Sequence, residues 1–231
     1  MRSLLMGGQA CVLYGGAEFS RDTDVVVLSD DDNLDRLGAA VEELRADVIA
    51  VPPFAKRHLE AGHAVHFRCH AAAVEGMRLD VMAKIRGLPD FEPLWERRST
   101  IETDEGLIEV LSLPDLVTAK KTQRDKDWPM IARLVEADYA AFGPQADLAR
   151  RAFWLRELRT PSLLIEVVGA GVEAARAASA ERPLLTHALA GDATALAAAL
   201  RAEEDQEREA DRTYWAPLRL ELEELRRTRR G

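Results

Sequence analysis

The spacing of apolar positions changes along this chain: short β-type runs dominate before about residue 112, and helical spacing holds almost throughout beyond Pro114. Ser3-Leu4-Leu5-Met6 is an apolar run stopped by Gly7-Gly8, and Gln9 to Tyr14 then reads as a short helix closed by Gly15-Gly16. Asp22-Thr23-Asp24-Val25-Val26-Val27-Leu28 has the β-branched content of a buried strand. Leu34, Leu37, Val41 and Leu44 share one face of a helix expected from about Ser29 to Ala46. Asp47 to Val51 reads as a strand stopped by Pro52-Pro53. Ala64 to His70 and Met77 to Met82 alternate on either side of a loop containing Gly76, the pattern of an antiparallel hairpin. From Gly87 to about Gly106 the pattern is irregular, and Leu107 to Leu111 adds one strand.

Helices are expected at about 113–122, 126–140, 146–159, 161–180 and 190–212, with Pro217 breaking or restarting the last one before its arginine-rich end. The expected fold is α/β (α+β): a small mixed sheet flanked by helices over 1–112, followed by a helical region over 113–231.

Composition narrows the function classes. The formal charge of -9 argues against a large nucleic-acid surface, so no duplex DNA partner is expected, since phosphates are met mostly by Lys and Arg. Cys11 and Cys69 cannot form a disulfide framework and point to a reducing compartment. With no run of about twenty apolar residues and nothing like a signal peptide, no membrane is expected and the cytoplasm is.

The acidic strand carries the chemistry. In a strand, side chains two apart share a face, so Asp22 and Asp24 project together while Thr23 and Val25 point away. Two carboxylates that close repel unless a cation lies between them. Oxygen ligands without Cys or His favour Mg²⁺ or Mn²⁺. Asp80 is a third acid, set in the middle of a good strand where a lone charge is rarely tolerated; its alternative role is a buried pair with Arg78 or Arg21. Gly7-Gly8 offers uncovered N–H groups at a helix start, or is a plain turn. Asp30, Asp31 and Asp32 read as a helix cap rather than a metal site. His63, His66, Cys69 and His70 suggest zinc, but the strand period sets Cys69 opposite His66 and His70.

Three carboxylates beside a phosphate-holding glycine turn are the equipment of metal-assisted phosphoryl or nucleotidyl transfer. At Gly7-Gly8, Asp22-Thr23-Asp24 and Leu79-Asp80-Val81 the chain resembles the nucleotidyltransferase superfamily, the polymerase-beta-like fold. Lys120 to Asp127 is similar to a basic, Asp-containing helix pair of small members, and the likeness covers about residues 3–135. It is strongest toward stand-alone bacterial members, which include antibiotic-modifying enzymes and abortive-infection toxins.

The resemblance implies that Asp22 and Asp24 bind two metal ions and that Asp80 binds the ion activating the acceptor hydroxyl. It places Gly7 and Gly8 against the β- and γ-phosphates, with Arg21 beside them, and Lys120, Lys121 and Arg124 on the triphosphate or pyrophosphate. The other reading of Lys120 to Asp127 is a solvated helix start with local ion pairs. Many members carry Gly-Ser at the first motif, where this chain has Gly8, and a helix before the first strand, which here starts at Ser3.

The implied activity is Mg²⁺-dependent transfer of a nucleoside monophosphate from an NTP to a hydroxyl of a small molecule, a tRNA end or a protein, releasing pyrophosphate. A nucleotide-binding module without turnover, such as a toxin–antitoxin partner, and a metal-dependent phosphohydrolase are the other readings.

Overall fold

The computed structural model describes residues 1–104 and 106–230. Its centre is a seven-stranded mixed sheet in the order β3-β4-β5-β2-β1-β7-β6. The strands are β1 (Ser3–Met6), β2 (Asp22–Val27), β3 (Asp47–Val48), β4 (Val65–Arg68), β5 (Arg78–Met82), β6 (Ser99–Thr103) and β7 (Gly106–Val110). β2 and β5 run parallel, as do β1 and β7, and the remaining neighbours are antiparallel.

Helix α1 (Gly7–Leu13) follows β1 directly, and α2 (Asp31–Glu43) follows β2. The capping reading of the three aspartates holds: the Asp30 carboxylate accepts from the Asn33 N–H at 2.7 Å, and Asp31 and Asp32 fill the first turn. Leu34, Leu37 and Val41 of α2 are buried against Val27, Val65, Phe67, Leu79 and Val81, together with Leu59 of α3 (Lys56–Ala61). Burying side chains of this size stabilises by about 1.5–3 kcal/mol each, which fixes that face of the sheet. Asn33 ties the strand ends to the helix: its amide donates to the carbonyls of Arg2 (3.0 Å) and Leu28 (2.8 Å) and accepts from the Arg2 N–H (2.6 Å).

Several local expectations fail. The stretch from Gly87 to Gly106 is not irregular: it holds α4 (Phe91–Glu96) and the edge strand β6. Phe91 and Leu94 are buried on α4, and β6 forms by pairing antiparallel with β7. Asp47 to Val51 shortens to the two residues of β3, Asp47 and Val48, paired with Arg68 and Phe67 of β4, and the ladder ends with the Ile49 N–H donating to the His66 carbonyl at 2.9 Å. The helix expected over 161–180 is two, α8 (Pro161–Ala170) and α9 (Val172–Ala178), divided at Gly171. Pro217 does not break the last helix; α11 (Ala193–Arg230) runs through it, and a long helix tolerates the single backbone donor that proline lacks.

Contacts divide the described chain into two compact units. The first comprises residues 1–13, 17–120 and the end of the chain from Arg212, so it holds the sheet, α1 to α4 and α5 (Leu113–Lys120). Within it, the buried His63 ring bonds Glu221 on α11 (Nε2 to Oε2, 2.8 Å). The second comprises 14–16 and 121–211 and is helical, with α6 (Asp127–Phe142), α7 (Leu148–Glu157), α8, α9, α10 (Leu185–Leu189) and the first part of α11. Its buried Arg182 donates to Glu203 at 2.8 and 2.9 Å and to the Leu155 carbonyl at 2.9 Å, while the Arg159 guanidinium lies over Trp128 at 4.5 Å. Among the described residues no helix is long and apolar enough to cross a membrane.

Candidate functional site

The strand register assembles the site. Asp24 on β2 is the Cα partner of Asp80 on β5, and Asp22 that of Arg78. Across the other edges Asp80 is opposite His66 on β4, and Asp24 is opposite Met6 on β1. In-register neighbours share a face at a strand spacing of about 4.8 Å, so Asp24, Asp80 and His66 form one row across the sheet. Val27, on the opposite face of β2 from the acids, belongs to the core beneath α2.

The two central acids differ in what surrounds them. Asp80 is 8% exposed, and its Oδ1 accepts from His66 Nδ1 at 2.8 Å and from Arg78 Nε at 2.9 Å. An ionised carboxylate only accepts, which assigns the Nδ1 proton to the Asp80 side of the ring. Burial pushes the Asp80 carboxyl up, but the hydrogen bonds from His66 and Arg78 and their charges outweigh it and hold the group below the ordinary carboxylate range. The Arg78 guanidinium is raised in turn, first by its hydrogen bond to Asp80.

Asp24 goes the other way. Burial pushes its carboxyl up and the charge of Asp80 adds to that, outweighing the pull of Lys120 and of a hydrogen bond from the Gly8 N–H. Lys120, at the end of α5, is 7% exposed. Asp24 is therefore the member of the site that is short of positive charge.

Both glycines of the first motif are explained by what approaches them. Gly7 has φ +69°, and a Cβ there would lie 1.9 Å from Asp24 Oδ2, so the turn excludes a side chain twice over. A Cβ on Gly8 would lie 2.4 Å from Ser20 Oγ. The space that a serine at position 8 would fill is held by the Ser20 hydroxyl, which donates to the Asp22 carbonyl at 3.2 Å. Ser20 does not figure among the site residues expected from sequence, where nothing pointed to it, and His66 figures there only in the zinc alternative, its place in the hairpin with Asp80 being the further signal.

The basic residues separate. Lys120 acts on Asp24, and Arg21 is exposed beside the acidic strand. Lys121 and Arg124 belong to the second unit, where Lys121 Nζ pairs with Glu157 Oε2 at 2.8 Å and Arg124 Nε with Asp127 Oδ2 at 2.8 Å. The Arg124 pair is local, of the kind the sequence left open as the alternative, whereas Lys121 reaches a partner 36 positions along the chain. The histidines and cysteine of the zinc alternative go to separate places: His63 to Glu221, His66 to Asp80, His70 to Glu75, and Cys69 into the core.

Among the described residues no group of three or more His, Cys, Asp or Glu side chains is gathered closely enough to hold a metal ion. Asp22 and Asp24 nevertheless fit a hard divalent cation: they are oxygen donors on one strand face, and the charge deficit at Asp24 is what such an ion relieves.

No protein-family model matches this chain, and no curated protein does so significantly. Among solved structures it is similar to an antigenic nucleotidyltransferase-like protein from Paracoccidioides brasiliensis. That likeness has 14% identity and a TM-score of 0.32, and covers 82% of this chain and 84% of the other. At that TM-score it decides nothing about chemistry, which is read from the geometry alone.

Proposed function

We propose that the sheet unit is a divalent-metal-dependent nucleotidyltransferase that moves a nucleoside monophosphate from an NTP to an acceptor hydroxyl. One observation supports this above the rest: Asp24 and Asp80 lie in register on parallel strands, with Asp24 against the glycine turn that opens α1. In the reaction the acceptor oxygen forms a bond to the α-phosphorus, the bond to the pyrophosphate oxygen breaks, and the hydroxyl proton passes to a base or to solvent. Asp22 and Asp24 would hold the ion, which when bound offsets charge on phosphate oxygens. Lys120, already close enough to act on Asp24, would supply a fixed positive charge beside the triphosphate. The Gly8 N–H is spent on Asp24, and the Ser20 hydroxyl beside the turn, which donates to the Asp22 carbonyl at 3.2 Å, would meet a phosphate by turning from that carbonyl. The acceptor classes (small molecule, tRNA end or protein) and a cytoplasmic setting are parts of this proposal that rest on the sequence.

Transfer of label from an α-labelled NTP in Mg²⁺ tests the reading. Wild type should form a labelled adduct and Asp24→Asn should not; release of labelled phosphate without any adduct would point instead to hydrolysis. A second reading, nucleotide binding without turnover, draws on the commitment of Lys121 and Arg124 to Glu157 and Asp127. NTP-dependent thermal stabilisation without adduct or pyrophosphate would favour it.

A further inference from the structure

We propose that this chain pairs with a second copy of itself through the free edge of β6, antiparallel and centred on Ile101, so that the two sheets join into one. β6 stands at the end of the sheet, beyond β1 and β7 from β2 and its acids, so this pairing stands or falls apart from the nucleotidyl-transfer reading.

The turn of the β6–β7 hairpin decides which backbone groups face outward. Thr103 and Gly106 close it as register partners, and across so short a turn they can pair only by exchanging both backbone hydrogen bonds. Along an antiparallel ladder such bonded pairs alternate with non-bonded ones. Ile101 with Ile108 and Ser99 with Val110 are therefore bonded pairs, while Thr100 and Glu102 turn their N–H and C=O groups away from β7. Both residues are exposed, and among the described residues no backbone group outside the ladder bonds to them. An open edge is a template for another strand, and proteins blunt it with lysine, proline, a bulge or brevity. The opposite edge, β3, is only two residues long. β6 runs for five residues in unbroken register with β7 and carries no lysine or proline.

The strand is complementary to itself. Across a two-fold axis at Ile101, Thr100 and Glu102 of one copy meet Glu102 and Thr100 of the other, so every outward N–H and C=O of these residues gains a partner. On the side chains, Ile101 meets Ile101 and Ser99 meets Thr103, while Glu102, the one charged residue of the strand, meets a hydroxyl residue instead of its own copy. Ile101 and Ile108 are half-buried register neighbours, and the axis extends them into one apolar row through both copies. Centring the pair on Glu102 would set like charges opposite each other. Centring it on Thr100 would draw in Arg98, which lies outside β6 and already donates to Glu109 and to the Trp95 carbonyl. A second copy thus fits the edge in hydrogen bonding, apolar contact and charge. Five residues a side bury well below the ~1,200 Å² at which stable interfaces begin, so the dimer is a weak one.

Sedimentation equilibrium of the full chain between about 10 µM and about 1 mM, in about 0.15 M salt to screen the charge of -9, tests this. Wild type should pass from monomer to dimer with a Kd of about 0.1 mM. Glu102→Pro removes an outward N–H and no bond to β7, so it should abolish the dimer and leave the melting temperature within a few degrees of wild type. Ile101→Cys sets two thiols across the axis at a Cα separation of about 4.5 Å, inside the disulfide range, and should become a covalent dimer in oxidised glutathione. Thr103→Cys, whose partner across the axis is Ser99, should not. Cys11 and Cys69 are fully buried and do not compete. A chain still monomeric at the highest concentration, a dimer that Glu102→Pro leaves intact, or equal cross-linking of Thr103→Cys would each overturn the proposal, the first leaving the edge to a strand of some other protein. Should Glu102→Pro fail to fold, the wild-type sedimentation and the two cysteine variants decide.

Discussion

Asp24 and Asp80 are register partners on neighbouring parallel strands, yet their surroundings drive the two carboxyls in opposite directions. Asp80 has His66 and Arg78 on one oxygen; Asp24 has burial and the charge of Asp80 against it. Unfavourable charge is therefore concentrated at Asp24.

The two acids should respond oppositely to neutralisation in metal-free protein. The folded-state pKa of Asp24 lies above its unfolded value, so its contribution to stability is present at low pH and lost as pH rises past the unfolded carboxylate range. At neutral pH Asp24→Asn should raise the melting temperature by a few degrees, roughly what 1 kcal/mol gives a chain of this size. The folded-state pKa of Asp80 is depressed, so its contribution is present at neutral pH and lost as pH falls through the folded value. Asp80→Asn should cost about 1–3 kcal/mol. Thermal melts in a chelator check both signs, and a lower melting point for Asp24→Asn would contradict the charge imbalance.

Gly7 and Gly76 have similar positive φ, +69° and +79°, but different neighbours. A Cβ at Gly76 meets nothing within 4 Å, so Gly76→Ala should cost only the backbone strain, about 1 kcal/mol. Gly7→Ala must also displace the Asp24 carboxylate from 1.9 Å, and should cost more than Gly76→Ala and weaken Mn²⁺ binding as well. Urea unfolding of the two variants, with ion titration of each, compares them directly; equal costs and unchanged ion binding would count against the Asp24 contact.

Position 8 and Ser20 compete for one volume. Gly8→Ser alone places its Cβ 2.4 Å from Ser20 Oγ and should destabilise, by about 1–3 kcal/mol for overpacking. Adding Ser20→Gly should recover most of that loss, a coupling that a double-mutant cycle reads. Ser20→Ala alone should leave the melting temperature nearly unchanged and raise the KM for NTP about tenfold, the loss of one phosphate hydrogen bond of about 1.4 kcal/mol.

His58 sets an acid limit on the first unit. The ring is 8% exposed, its Nε2 has no partner, and the His63 ring stands 6.0 Å away. Burial lowers its pKa, with Arg57 and His63 adding to the effect against Glu221. A histidine that prefers to be neutral when folded loses stability as pH falls below its unfolded value of about 6.5. His58→Leu should flatten the decline in unfolding free energy measured from neutral to mildly acid pH; an unchanged slope would show that another group governs it.

Local pattern was enough to find β1 and its glycine turn, the shared face of Asp22 and Asp24, the hairpin carrying Asp80, and the helical second half. Each follows from side-chain period or turn chemistry within a few residues. The pairing of β2 with β5 joins residues more than fifty positions apart, and strand period says nothing about which strands become neighbours or in what register. Tertiary structure alone therefore brought Asp24 beside Asp80, put His66 on Asp80 and Ser20 into the space at Gly8, built β6 against β7, and committed Lys121 and Arg124 to Glu157 and Asp127. A charge is written in the sequence, but the partner that neutralises it is chosen by packing across the sheet.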